Sequence, residues 1–128
     1  MAKQEMPERP ALIWVRADGQ EVEFPVWAER PVTIGRDATN TIAIDSAFVS
    51  KAHAVLQYHD GAFVLQDLRS ANGTRVNGAD VEDSVQVAID DEIEVGDQRL
   101  LFVDRGEDAD VRTPRGATGG GKSARLLL

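Results

Sequence analysis

Four short segments carry the residues able to do chemistry in this 128-residue chain: Gly35-Arg36, Ser50-Lys51-Ala52-His53, Asn72-Gly73-Thr74 and Asn77-Gly78. Together they offer a guanidinium fork, a hydroxyl, an ammonium, an imidazole and side-chain amides, a set rich in hydrogen-bond donors. Each has an ordinary structural reading when taken alone. An arginine after a strand is usually a solvated charge, a histidine beside a strand is usually a core or edge residue, and Asn-Gly pairs are turn chemistry because they tolerate φ > 0. No Ser/His/Asp arrangement emerges, and His53 and His59 lie six residues apart with no third metal ligand suggested between them. The absence of cysteine excludes thiol nucleophiles, disulfide scaffolds and cysteine metal sites. The expectation is a binding protein without cofactor or metal, and no enzyme.

These segments must be positioned by strands. Ala11–Ala17 is apolar, Asp18-Gly19 is a hairpin signal, and Gln20–Val26 alternates with Val22, Phe24 and Val26 on one face. Pro31–Ile34 and Thr41–Ile44 are short apolar runs. His53–His59 puts Ala54, Leu56 and Tyr58 on one side, and Asp60-Gly61 turns it into Ala62–Leu68. Thr74–Val76 precedes the turn Asn77-Gly78, and Val85–Ile89, Ile93–Val95 and Arg99–Val103 follow. Nothing of helical length shows a 3.6-residue period. The pattern predicts an all-β antiparallel sandwich or barrel over residues 11–103. Residues 1–10 read as disordered, and 104–128, Gly- and charge-rich with Thr113-Pro114 inside, read as a flexible linker or tail.

The formal charge is −8, which argues against general nucleic-acid affinity, since that requires a basic footprint. From Asp104 onward five basic and four acidic residues give +1, which leaves −9 on residues 1–103. Local cations must therefore outweigh the global field if that part binds an anion. The charged Met1–Pro10 stretch lacks the apolar core of a signal peptide, and no apolar run approaches a membrane span. A cytoplasmic protein without membrane or nucleic-acid partners is expected.

Order and spacing change the meaning of the four segments. Gly-Arg, then Ser-x-x-His, then Asn-Gly-Thr, then Asn-Gly three residues beyond that threonine resembles the signature of the forkhead-associated (FHA) domain. The surroundings "TIGRDATNTIAID", "VSKAHAVL" and "LQDLRSANGTRVNG" are similar to the family throughout, over roughly residues 11–103. The resemblance implies an eleven-stranded two-sheet sandwich with recognition loops at one end. It also implies a partner: a phosphothreonine-containing protein segment made by a Ser/Thr kinase. A phosphate near pH 7 carries about −1.5 to −2 charges and three acceptor oxygens. By that resemblance Arg36 supplies a bidentate fork, Ser50 a hydroxyl, Lys51 a mobile charge, and Asn72 both a donor and an acceptor for the peptide backbone. Gly35, His53, Gly73, Thr74, Asn77 and Gly78 match positions that hold the loops. One departure is Ala71, where the family often has Thr or Ser; Ser70 is the candidate to compensate. Arg69 and Arg75 flank the loop as accessory cations, and Phe48, two residues before Ser50, is a further accessory residue.

Gly116–Ser123 matches the P-loop pattern, yet it follows a charged, proline-containing stretch and precedes only five residues, Ala124–Leu128. Without an apolar strand before it and a helix after it, the motif cannot cradle a nucleotide in this chain. Asn72-Gly73-Thr74 also matches an N-glycosylation site, a reading that needs a signal peptide. Two alternatives stay open from sequence: a phosphate-independent interaction module, and a regulatory fragment of a longer P-loop ATPase.

Overall fold

A computed structural model describes residues 7–106. Eleven strands follow in order: β1 (Pro10–Val15), β2 (Glu21–Pro25), β3 (Val32–Gly35), β4 (Ile42–Ala43), β5 (Ala54–His59), β6 (Ala62–Asp67), β7 (Thr74–Val76), β8 (Ala79–Asp80), β9 (Ser84–Val87), β10 (Glu92–Val95) and β11 (Gln98–Asp104). They form one six-stranded sheet, β2-β1-β11-β10-β7-β8, and one five-stranded sheet, β4-β3-β5-β6-β9. The two-sheet all-β architecture is the one expected. One local exception breaks the antiparallel pattern: β3 and β4 pair in parallel through Ile34↔Ile42 and Gly35↔Ala43.

The period-two alternation read from the sequence places side chains as anticipated. Ala54 and Leu56 of β5 are buried and Tyr58 half-buried, while Gln57 and His59 are exposed. Leu12, Phe102 and Leu100 from the first sheet meet Ile34, Leu56 and Leu65 from the second in a single apolar cluster. Each such side chain contributes about 1.5–3 kcal/mol on burial. Phe63 meets Tyr58 in a tilted pair and Phe102 edge-on, with ring centroids 4.9 and 5.2 Å apart.

Strand β8 is not legible in the sequence, because both its residues are exposed and nothing apolar marks it. It forms because Asn77 (φ 52°) and Gly78 (φ 87°) make a two-residue turn that brings Ala79 opposite Val76. The expected disorder of residues 1–10 is also corrected at its inner end. Arg9 N–H donates to Asp104 Oδ1 at 3.0 Å, Arg9 O accepts from Arg105 N–H at 2.9 Å, and Pro10 pairs with Asp104. The sheet thus reaches one residue beyond each end of 11–103. Residues 1–6 and 107–128, including the P-loop-like stretch, lie outside the described residues.

Register decides where the loops gather. Ile34 near the end of β3 pairs with Ala54 at the start of β5, which pairs with Asp67 at the end of β6. In the other sheet, Val95 at the end of β10 pairs with Thr74 at the start of β7 and Gln98 at the start of β11. The loops 36–41, 44–53, 68–73 and 96–97 therefore converge at one end of the sandwich.

Candidate functional site

Four successive carbonyls of the loop before β5 form the spine of this end. Phe48 O accepts from Asn72 Nδ2 at 3.0 Å, and Val49 O from Arg36 Nε at 3.1 Å. Ser50 O accepts from the Arg36 amide at 2.9 Å, and Lys51 O from Asn40 Nδ2 at 2.8 Å. Arg36 is exposed, and its Nε bond orients the guanidinium while both terminal nitrogens have no hydrogen-bond partner among the described residues. Lys51 is exposed and makes no ion pair there either; its charge acts through space on Asp37. The Asp37 carboxyl is held below its ordinary value chiefly by the Thr39 amide and hydroxyl, with Lys51 adding to them.

His53 joins this spine to the loop before β7. It is fully buried. Its Nδ1 accepts from the Ser50 amide at 3.0 Å, so the ring hydrogen sits on Nε2 and is donated to Gly73 O at 2.8 Å. Ser50 Oγ accepts from the Ala71 amide at 3.0 Å, which leaves the hydroxyl hydrogen free to donate outward. Asn72 spends an N–H on Phe48 O and keeps its Oδ1 without a partner among the described residues.

Asp67, which sequence reasoning missed, organises the next loop. Its Oδ1 accepts from Ser70 Oγ at 2.6 Å and Thr74 Oγ1 at 2.7 Å, and its Oδ2 from the Ser70 amide at 3.2 Å. Burial opposes the charge, but these hydrogen bonds outweigh it and hold the Asp67 carboxyl below its ordinary value. Ser70 is corrected as a consequence: its only hydrogen goes to Asp67, and its oxygen accepts from the Gly73 amide at 3.0 Å. It shapes the loop and cannot take over the missing hydroxyl of Ala71. Arg75 is corrected too. It points from the outer face of the six-stranded sheet, where Nε meets Glu94 Oε1 at 2.7 Å, a pairing that raises its pKa. Arg69 is the accessory cation that stays exposed, on a left-handed backbone with φ 59°. Asn77 serves its turn, donating from Nδ2 to Asp91 Oδ1 and accepting from the Glu92 amide at 2.9 Å.

Two glycines permit close approach between loops. A Cβ on Gly35 would strike Lys51 O and, at 2.7 Å, Asn40 Nδ2. A Cβ on Gly96 (φ 62°) would strike Phe48 O, and Gly96 N–H donates to Gly73 O at 3.2 Å. Gly96 and the clamp Asn40 carried no signal of their own in the sequence, because their partners lie far along the chain or on backbone atoms.

The free guanidinium nitrogens, the Ser50 hydroxyl, the Lys51 ammonium and the Asn72 carbonyl thus crown one end of an eleven-stranded sandwich. The family model described as FHA domain matches residues 32–96, half of the chain. The chain belongs to the FHA domain family. This FHA domain is similar to the glycogen accumulation regulator GarA of Mycolicibacterium smegmatis, at 34% identity over 99 residues, covering 77% of the chain and 61% of the regulator. It spans about half to three fifths of the length of such curated relatives. The structure of Mycobacterium tuberculosis EmbR in complex with a low affinity phosphopeptide matches with TM-score 0.65 and 32% identity, over 74% of this chain and 24% of EmbR. The FHA domain of the CT664 protein from Chlamydia trachomatis shares the fold, with TM-score 0.71 at 23% identity, over 76% and 98% of the two chains.

Proposed function

We propose that this FHA domain binds a phosphothreonine in an extended segment of another protein, and so mediates a phosphorylation-dependent interaction downstream of a Ser/Thr kinase. The carrying observation is the Arg36 guanidinium, anchored through Nε to Val49 O with both terminal nitrogens unengaged among the described residues. Such a fork matches two phosphate oxygens, and its anchoring lowers the entropy lost on binding. The Ser50 hydroxyl hydrogen and the Lys51 ammonium supply further donors at the same end. Asn72 Oδ1 would accept an N–H from the peptide backbone beside the phosphothreonine. Family membership supports the reading, as does the phosphopeptide held by EmbR. No residue of the cluster is arranged as a nucleophile activated by a base, so the role is recognition. Among the described residues no helix is long and apolar enough to cross a membrane. Calorimetry with a phosphothreonine peptide and its unmodified twin tests the proposal. Binding of the first alone is expected; equal affinity for the two would favour phosphate-independent docking.

A further inference from the structure

The two sheets end on four edge strands: β2 and β8 in one, β4 and β9 in the other. An edge leaves backbone N–H and C=O groups open to another chain, and proteins blunt such edges with short strands, charges or proline. Three of the edges are blunted in this way. Strands β4 and β8 are two residues long, and β2 carries Glu21 and Glu23 and ends on Pro25. Strand β9, Ser84-Val85-Gln86-Val87, has neither charge nor proline. Asp67 N–H donates to Asp83 O at 2.9 Å, in line with the β6–β9 register of Leu65↔Val85 and Phe63↔Val87. Hydrogen-bonded and non-hydrogen-bonded pairs alternate along an antiparallel ladder, so Val85 and Val87 direct their backbone groups to β6, and Ser84 and Gln86 direct theirs out of the sheet. These outward N–H and C=O groups have no partner among the described residues. Val85 lies on the core side of the sheet, opposite the fully buried Leu65, yet is 37% exposed because no strand lies beyond it.

We propose that β9 is a self-association edge, which pairs antiparallel with β9 of a second copy of this chain about a two-fold axis at Val85. With Val85 opposite Val85 of the second copy, Ser84 faces that copy's Gln86 and Gln86 faces its Ser84, so every outward N–H and C=O meets its complement. The central pair is then a non-hydrogen-bonded one with Cα atoms about 4.5 Å apart, and each exposed Val85 side chain covers the other. A register centred on Ser84 would set Val85 against Asp83. One centred on Gln86 would need the backbone of Ala88, whose N–H donates to Asp91 Oδ2 at 2.8 Å and whose carbonyl accepts from the Asp91 amide at 3.1 Å. The charges tolerate the Val85 register. Asp83 faces Val87 of the second copy, and the two Asp83 residues lie four positions apart along the ladder, about 13 Å, beyond the Debye length of about 8 Å at physiological salt. On the outer face Ser84 and Gln86 continue a surface of Gln66, Val64, Gln57 and Val55 that carries no charge. The outer face of the six-stranded sheet carries instead the Arg75–Glu94 and Arg99–Glu92 ion pairs. Two copies of net charge −8 repel each other, and an uncharged edge is where they approach at least cost. The two five-stranded sheets become one continuous sheet, and because strand direction reverses across the axis, the two candidate sites lie at its opposite ends.

Sedimentation equilibrium of the full chain, without phosphopeptide and at low and high salt, tests the pairing in the wild type, Val85→Lys and Gln86→Pro. The interface is small, so a dissociation constant of about 10–1000 μM is expected, falling several-fold as salt screens the like charges. Val85→Lys sets like charges on the axis, and Gln86→Pro removes an outward N–H without touching a bond to β6. Each is expected to weaken the dimer by roughly tenfold or more while circular dichroism shows the fold intact. The chain has no cysteine, so Val85→Cys supplies a readout that stands even if one of those variants fails to fold. Mild oxidation is expected to link two copies of it, because the Cα separation lies within disulfide range, and to leave Gln57→Cys, exposed but inside the same sheet, unlinked. A wild type that stays monomeric throughout that range overturns the pairing, as does a dimer that survives both substitutions or weakens with salt. Val85→Cys oxidising no faster than Gln57→Cys overturns it equally.

Discussion

Replacing Arg36 by alanine isolates the contribution of the fork. Within the domain the side chain makes one hydrogen bond, from Nε to Val49 O at 3.1 Å, so its loss is expected to lower stability by only about 0.5–1.5 kcal/mol. The two terminal nitrogens have no competing partner among the described residues to be displaced before a phosphate binds. Hydrogen bonds to a charged group contribute about 1.5–3 kcal/mol each, so two parallel ones make about 3 kcal/mol or more. That corresponds to a Kd weakened on the order of 100-fold. Calorimetric titration of a singly phosphorylated peptide gives the affinity, and thermal melting followed by circular dichroism reports whether the fold persists. Arg36→Lys sharpens the test: it keeps the charge while losing the planar fork and the Nε anchor, and is expected to fall between wild type and alanine. A folded alanine variant with wild-type affinity would refute the site. A lysine variant equal to arginine would refute the bidentate geometry while leaving the charge requirement standing.

His53→Ala is expected to lose about 1–3 kcal/mol of stability, because the Ser50 amide loses its acceptor and the Gly73 carbonyl keeps only the Gly96 amide; an unchanged melting temperature with lost binding would mean the ring touches ligand directly. Ala71→Thr is expected to tighten phosphopeptide binding by about 1–2 kcal/mol, since position 71 is exposed and Ser70 cannot supply the hydroxyl; calorimetry showing no gain would mean the loop aims that side chain elsewhere. Phosphopeptide affinity is expected to be flat above about pH 7 and to fall through roughly pH 6 and below, because preferential binding of the dianion lowers the phosphate's second pKa, near 6 when free; affinity constant from pH 7.5 to 5 would contradict dianion recognition. Asp67 has a depressed pKa when folded, so its contribution to stability is complete above its unfolded value, about 3.9, and is lost as pH falls through the folded value. Acid titration of the fold should show that loss in the wild type and not in Asp67→Asn; identical acid profiles would remove Asp67 from the account.

The sequence by itself determines the class of fold and the loops that hold the candidate site. Strand alternation such as Ala54, Leu56 and Tyr58 follows from burying one face of a pleat, a local property. Turn pairs such as Asp60-Gly61 and Asn77-Gly78 encode their own backbone signs. The order of Gly-Arg, Ser-x-x-His and Asn-Gly-Thr carries the family, and with it Arg36, Ser50, Lys51 and Asn72. Only the tertiary structure decides which of the polar side chains remain available. Ser70 and Arg75 have suitable chemistry and sit in or beside the right loop, yet Asp67 takes the hydrogen of the one and Glu94 the charge of the other. Conversely, Asp67, Asn40 and Gly96 are unremarkable by type, and matter because the register of two sheets brings Thr74, Lys51 O and Phe48 O against them. A donor can be spent once. Where it is spent depends on neighbours that the fold supplies from across the chain, as when Ser46 meets Asp97 fifty-one residues away.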